Sequence, residues 1–169
     1  MALKVFSSKQ KSIDGLKREA RKESQILDKL SHPNILRYIK TIETEDLIMI
    51  ASEFVPGKNL EQVLLYKLNS GSFFSESEVA NIAQQLLEAL SFCHAEGIMH
   101  RDVKPDNVIL DDDGHVTLID FGMAEYTNSP ARELAGTPYY MAPEMLEQSY
   151  MESCDVWSLG ILVYYLLTG

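Results

Sequence analysis

Residues 2–6, Ala-Leu-Lys-Val-Phe, carry apolar and polar positions by turns and predict the second half of a β-strand, with Lys4 its one charge. Taken alone, Lys4 is either an ordinary strand lysine facing water or a working residue. Over residues 10–30 the apolar positions Ile13, Leu16, Ala20, Leu27 and Leu30 recur at spacings that predict a helix. Glu23 stands where the stripe should continue, and an acid on an inward face needs a cation. Two strands are predicted over 34–42 and 46–52 around the turn Glu-Thr-Glu-Asp. Pro56 and Gly57 then break the pattern and suggest a hinge. A helix is predicted over about 59–68. A longer one begins at Ser75, which forms a capping box with Glu78, and stops at Gly97. The runs Asn-Val-Ile-Leu and Val-Thr-Leu-Ile-Asp flank Asp113-Gly114, a hairpin signal. If the turn centres there, paired residues sum to 227 and Asn107 faces Asp120. A long irregular stretch follows, then a helix from about Asp155 with Trp157 expected in the core.

Composition narrows the class. The 169 residues are enough for one domain with a real core, and 46% hydrophobic with 24% charged residues suits a globular protein. The longest apolar run, 159–167, is far short of the roughly 20 residues that cross a bilayer. No signal-peptide pattern opens the chain. Cys93 and Cys154 form no CxxC pair, which suggests a reducing compartment. A net charge of −10 weighs against nonspecific nucleic-acid binding.

The chemistry concentrates in His-Arg-Asp-Val-Lys-Pro-Asp-Asn, residues 100–107, and the hairpin that follows. An amide oxygen (Asn107) and a carboxylate (Asp120) make a poor complete cage, but suit Mg²⁺ that keeps waters and takes phosphate oxygens. Asp102, on the same loop as Asn107, can accept a hydroxyl proton. Lys104 can neutralise a transferring phosphoryl group. The stretch 111–120 brushes the calcium-loop pattern through Gly114, but its first ligand position would be Ile109 and its last is Asp rather than Glu, so no calcium site is expected.

These residues resemble the eukaryotic protein kinase catalytic domain. His100-Arg101-Asp102 matches HRD, Asn107 the loop asparagine, Asp120-Phe121-Gly122 DFG, and Ala142-Pro143-Glu144 APE; 155–160 is similar to the start of the central helix of the larger lobe. The match runs in order over nearly the whole chain. It implies an α+β, bilobal kinase-like fold, incomplete at both ends: a partial N-lobe over 1–52, a hinge over 53–57 and a partial C-lobe over 58–169. The Gly-rich loop and the last helices, with the usual arginine partner of Glu144, are expected outside this sequence.

The resemblance implies transfer of the ATP γ-phosphate to a protein Ser/Thr hydroxyl with Mg²⁺. Asp102 would be the base, Lys104 the charge neutraliser, and Asn107 and Asp120 the metal ligands. In the ATP site Ala2 would pack on adenine, and Lys4, paired with Glu23, would reach the α/β-phosphates. The Glu53 and Val55 backbone would hold adenine behind a small gatekeeper, Ser52, and Asp106 and Ile109 would complete the contacts. Leu27, Tyr38, His100 and Phe121 match the stacked spine of the family. Lys104 and Thr137 match its serine/threonine branch. Arg101 would seek an anion from the activation segment, with Glu133, four residues before Thr137, expected to supply it. That pattern resembles the calcium- and calcium/calmodulin-dependent kinases. Thr127 and Ser129 are candidate phosphosites. Asn59 stands where relatives preferring basic substrates carry an acid, although Asp106 could still attract one. The expected partners are protein substrates and a regulatory segment or subunit outside this chain, with no nucleic acid or membrane. The expected location is the cytoplasm, with the nucleus as alternative. The competing reading is a kinase-like fragment that binds nucleotide or partners weakly without catalysis.

Overall fold

A computed structural model describes residues 1–7, 13–45 and 47–169. An antiparallel sheet of order β1-β3-β2 is built from β1 (Ala2–Ser7), β2 (Tyr38–Glu43) and β3 (Leu47–Ser52). Helix α1 (Ile13–Lys29) packs on it, burying Ala20, Glu23, Ile26 and Leu27. Positions 10–12 of the predicted helix and Asp46 of the predicted strand lie outside the described residues. Beyond the hinge come β4 (Lys58–Asn59), α2 (Leu60–Asn69), α3 (Glu76–Ala95) and β5 (Ile98–Met99). They are followed by β6 (Val108–Leu110), β7 (Val116–Leu118), β8 (Glu125–Tyr126), α4 (Pro143–Leu146) and α5 (Ser153–Thr168).

Local chemistry sets the helix starts. Ser75 accepts from the Glu78 N–H while Glu78 returns a bond to the Ser75 N–H, and Asn59 with Gln62 forms a second capping box at α2. Each such cap contributes about 1 kcal/mol. The Glu78 carboxyl is drawn down to about 2 by the Ser75 N–H and hydroxyl and by Lys67. One continuous core joins Leu27 of α1, Leu30 just beyond its end and Ile50 of β3 to Leu64, Leu86, Leu90, Leu118, Phe121 and Leu162. Each large side chain fully buried there contributes about 1.5–3 kcal/mol.

Three expectations are corrected. The strand predicted from residue 34 begins at Tyr38; residues 34–36 instead join β7. The Leu118 N–H donates to Asn34 O at 2.8 Å, the Leu36 N–H donates to Leu118 O at 3.0 Å, and the Asn34 amide donates to Val116 O and Gln85 Oε1. Hydrogen bonds from the other half of the molecule outweigh the strand pattern. The hairpin pairs Val108 with Leu118 and Leu110 with Val116, a sum of 226 rather than 227. Asp111 Oδ1 accepts from the Asp113 and His115 N–H groups, and Gly114 takes φ +82°, so the loop holds three residues rather than two. Trp157 is 48% exposed, because α5 buries Cys154, Asp155, Ser158, Leu159, Leu162 and Leu166 on its other side.

Gly57 closes the hinge at φ +112°, and a Cβ there would stand 2.3 Å from Leu110 O. Gly57→Ala is expected to cost at least about 1–3 kcal/mol from backbone strain alone, read as a lower urea midpoint. An unchanged midpoint would contradict that.

Candidate active site

The catalytic loop is held from below by α5. Asp155, fully buried, accepts the N–H of His100 and of Arg101, both at 2.8 Å, and contacts His94 Nε2 at 2.9 Å. Arg101 takes φ +67° there, which reverses the chain into Asp102. The His100 ring accepts the Asp102 N–H at Nδ1, donates from Nε2 to Ile119 O, and meets Phe121 edge-on at 4.7 Å. Two of the expected spine residues therefore touch.

The Asp102 carboxylate is bonded by three side chains. Oδ1 accepts from the Thr137 hydroxyl at 2.7 Å. Oδ2 accepts from Asn107 Nδ2 at 2.9 Å and pairs with Lys104 Nζ at 2.8 Å. Lys104 also donates to Thr137 Oγ1 at 2.7 Å. Burial pushes the Asp102 carboxyl up, but Lys104, Thr137 and Asn107 together hold it below the usual carboxylate range. Thr137 reaches this triangle because Gly136, at φ +97°, packs where a Cβ would stand 2.3 Å from Arg101 O.

Facing this loop, Lys4 Nζ donates to both Glu23 oxygens, at 2.8 and 2.9 Å, and to Asp120 Oδ1 at 2.7 Å. Burial alone would lower the Lys4 ammonium, yet the two carboxylates raise it. Burial raises the Glu23 carboxyl, only partly offset by Lys4, whereas for Asp120 the Lys4 bond more than offsets burial and holds the carboxyl down. The two acids differ also in their neighbours: the Asp120 charge raises Glu23, while the Gly122 N–H and His100 help hold Asp120 down.

A cleft of about 360 Å³ lies between the sheet and the catalytic hairpin. Ala2, Lys4, Glu23, Ser52, Glu53, Val55, Ile109 and Asp120 all line it. Leu36 and Ile119 line it too; Ile119 could have been found from its place beside Asp120, Leu36 from no local signal. Asp106, expected among the nucleotide contacts, is exposed on the single turn Pro105–Asn107 and does not line the cleft. The Glu53 N–H is taken by Arg37 O, which leaves the Glu53 carbonyl and the Val55 N–H without a hydrogen bond among the described residues. A larger cavity, about 560 Å³, lies behind the hinge against His32, Arg37 and His115, but none of the catalytic carboxylates borders it.

With the register one step off, Asn107 O accepts from the Ile119 N–H, and Asp120 lies one residue beyond in the left-handed region at φ +58°. Asn107 Oδ1 and Asp120 Oδ2 accept no hydrogen bond among the described residues. No group of three His, Cys, Asp or Glu residues that could hold a metal occurs among the described residues. One amide oxygen and one carboxylate therefore fit a hard cation completed by waters and phosphates, not a protein cage.

Arg101, 4% exposed, donates from Nε to Met123 O at 2.6 Å and from Nη1 to the Tyr150 hydroxyl at 3.1 Å. Tyr150 in turn donates to the backbone O of Glu133 at 2.6 Å. Arg101 Nη2 lies 3.9 Å from Glu133 Oε2 and 3.8 Å from Glu125 Oε2. Sequence reasoning missed Glu125 and Tyr150. Both thiols are buried, and burial pushes Cys93 up to about 12 and Cys154 higher still, so neither is a nucleophile.

The Lys4–Glu23 pair and Asp120 thus share one cleft, and Asn107, at the foot of the same hairpin, bonds the Asp102 carboxylate. The protein kinase domain family model matches residues 1–169, and the chain belongs to that family. It is 41% identical over 169 residues to mitogen-activated protein kinase kinase kinase 3 of Arabidopsis thaliana, covering 96% of this chain and 25% of that protein. It is 39% identical to mitogen-activated protein kinase kinase kinase ANP1 of the same plant, over 97% and 25%. With calcium-dependent protein kinase 5 of Plasmodium berghei (strain Anka) it shares 35% identity, over 99% and 30%. The chain thus spans 25% to 30% of these relatives. The expected likeness to calcium-dependent kinases is found, beside a somewhat higher identity to mitogen-activated protein kinase kinase kinases.

Ser52 is 7% exposed and lines the cleft beside the hinge. Ser52→Met should weaken ATP-competitive inhibitors with bulky rear substituents about tenfold or more, since overfilling a packed site costs about 1–3 kcal/mol. Equal affinity for parent and variant would overturn this.

Proposed function

We propose that the chain is the catalytic portion of a serine/threonine protein kinase, transferring the ATP γ-phosphoryl group to a protein hydroxyl with Mg²⁺. The observation that carries this reading is the Asp102 carboxylate, held deprotonated by Lys104, Thr137 and Asn107 across from the Lys4–Glu23 pair. Asp102 accepts the proton of the substrate hydroxyl and orients its oxygen for in-line attack. Lys104 neutralises charge on the moving phosphoryl group, and its bond to Thr137 supports the serine/threonine branch. Lys4 holds the α/β-phosphates; Asn107 Oδ1 and Asp120 would hold Mg²⁺, which when bound neutralises phosphate charge. The Glu53 carbonyl and Val55 N–H hold adenine, with Ala2 and Ile109 against its faces. Two buried thiols suit a reducing compartment such as the cytoplasm.

The test is Mg-ATP-dependent phosphorylation of serine and threonine peptides by the parent chain and by Asp102→Asn. Nucleotide binding with parent turnover no faster than that variant would favour the fragment reading, in which the chain binds without catalysis.

A further inference from the structure

The buried Arg101 guanidinium needs an anion beside it, because an unpaired interior charge is strongly disfavoured. Two carboxylates stand at nearly equal distance, and their surroundings separate them. Glu133 belongs to a side chain 78% exposed, and its carboxylate makes no hydrogen bond among the described residues, so water screens it. Glu125 is 30% exposed and fixed at both oxygens. Oε2 takes Lys22 Nζ at 2.6 Å, and Oε1 accepts the Tyr126 N–H at 3.1 Å. Its backbone is placed as well: β8 pairs with β5 so that Glu125 faces Met99, two residues before Arg101.

Lys22 adjoins Glu23 on α1. Consecutive helical residues project about 100° apart. Lys22 tied to β8 and Glu23 tied to Lys4 therefore fix the rotation of α1 about its axis as well as its distance from the cleft. The geometry points to Glu125 as a positioning residue: a built-in carboxylate that joins helix α1 to Arg101 and so keeps Glu23 on Lys4 with no phosphate added. Glu133, the acid singled out in the sequence, is secondary to it. Only the activity readout of this role rests on the kinase reading; the tether itself does not.

The experiment measures amide hydrogen exchange over residues 20–29 and kcat/KM for ATP in the parent, Glu125→Gln, Lys22→Met, the double variant and Glu133→Gln. Glutamine keeps the shape of Glu125 and its bond from Tyr126, and removes the charge. Glu125→Gln and Lys22→Met should each speed exchange of α1 and lower kcat/KM about tenfold, with the double variant within about twofold of the worse single, as for one shared interaction. Glu133→Gln should do less than Glu125→Gln. Parent-like exchange in Glu125→Gln, full additivity of the two singles, or a larger effect from Glu133→Gln would overturn the inference. Lys22→Met cuts the tether from a half-exposed side chain, so a folding defect confined to the glutamate variant does not decide the outcome. If no variant and no parent transfers phosphate, exchange alone decides the tether and the kinase reading fails separately.

Discussion

Asp102→Asn is expected to lower kcat for peptide phosphorylation about 10³-fold, within the about 10²–10⁴ that a positioned general base contributes. The substitution keeps the volume and the bond from Thr137. It removes the carboxylate proposed to accept the hydroxyl proton. It also turns an amide donor toward Asn107 Nδ2 and Lys104 Nζ, the two donors that Oδ2 now accepts. The loop should therefore lose about 1–3 kcal/mol as well, the cost of donors left facing a donor. Lys4, Glu23 and the hinge groups are untouched, so KM for ATP should stay within about threefold of the parent, as when an interaction made only in the transition state is lost. Steady-state kinetics, with the thermal midpoint of both proteins alongside, separates the two effects. Turnover within a factor of ten of the parent would remove Asp102 from the role of base.

Asp155→Ala is expected to be the most damaging stability change, at about 3–5 kcal/mol, the range for breaking a buried charged network. The carboxylate is fully buried and accepts the backbone N–H groups of His100 and Arg101, besides contacting His94. Its loss leaves those donors unpaired in the interior and frees Arg101 from φ +67°. Against a total stability of about 5–15 kcal/mol this is a large share. The urea midpoint and slope of the parent and variant measure it, and a loss below about 1 kcal/mol would show that the catalytic loop is held by something else. The two substitutions differ in kind: Asp102→Asn should leave a folded chain that barely turns over, Asp155→Ala a loop that cannot form.

Much of this was legible in the sequence because it is written in neighbours. Ser75 and Glu78 cap α3 across a single turn, and the stripe through Ala20 and Leu27 marks Glu23 as an acid on a buried face. The loop residues Asp102, Lys104 and Asn107 lie within one short segment, so their proximity follows from chain connectivity. The Lys4–Glu23 pair bridges 19 residues. A buried acid requires a cation, but several basic residues lie near Glu23 in the sequence, and it was the family resemblance that singled out Lys4.

Other features depend on contacts that no local pattern carries. The hairpin register follows from Asp111 bonding its own turn, and residues 34–36 leave the sheet because Asn34 finds Val116, 82 residues away. Trp157 is exposed because the buried face of α5 is set by Asp155, which serves a loop 54 and 55 residues earlier. Glu125 and Glu133 look alike as sequence, two acids in an irregular segment. Only the β5–β8 pairing and Lys22, 103 residues before Glu125, distinguish them. Periodicity and caps set by bonds of one to four residues thus determined the helices and most of the larger strands, and the ordered motifs, through the family resemblance, pointed to the candidate catalytic groups. Which acid meets Arg101, and which side of each element is buried, was decided by tertiary structure, because long-range hydrogen bonds and charge burial select among faces and partners that are equivalent along the chain.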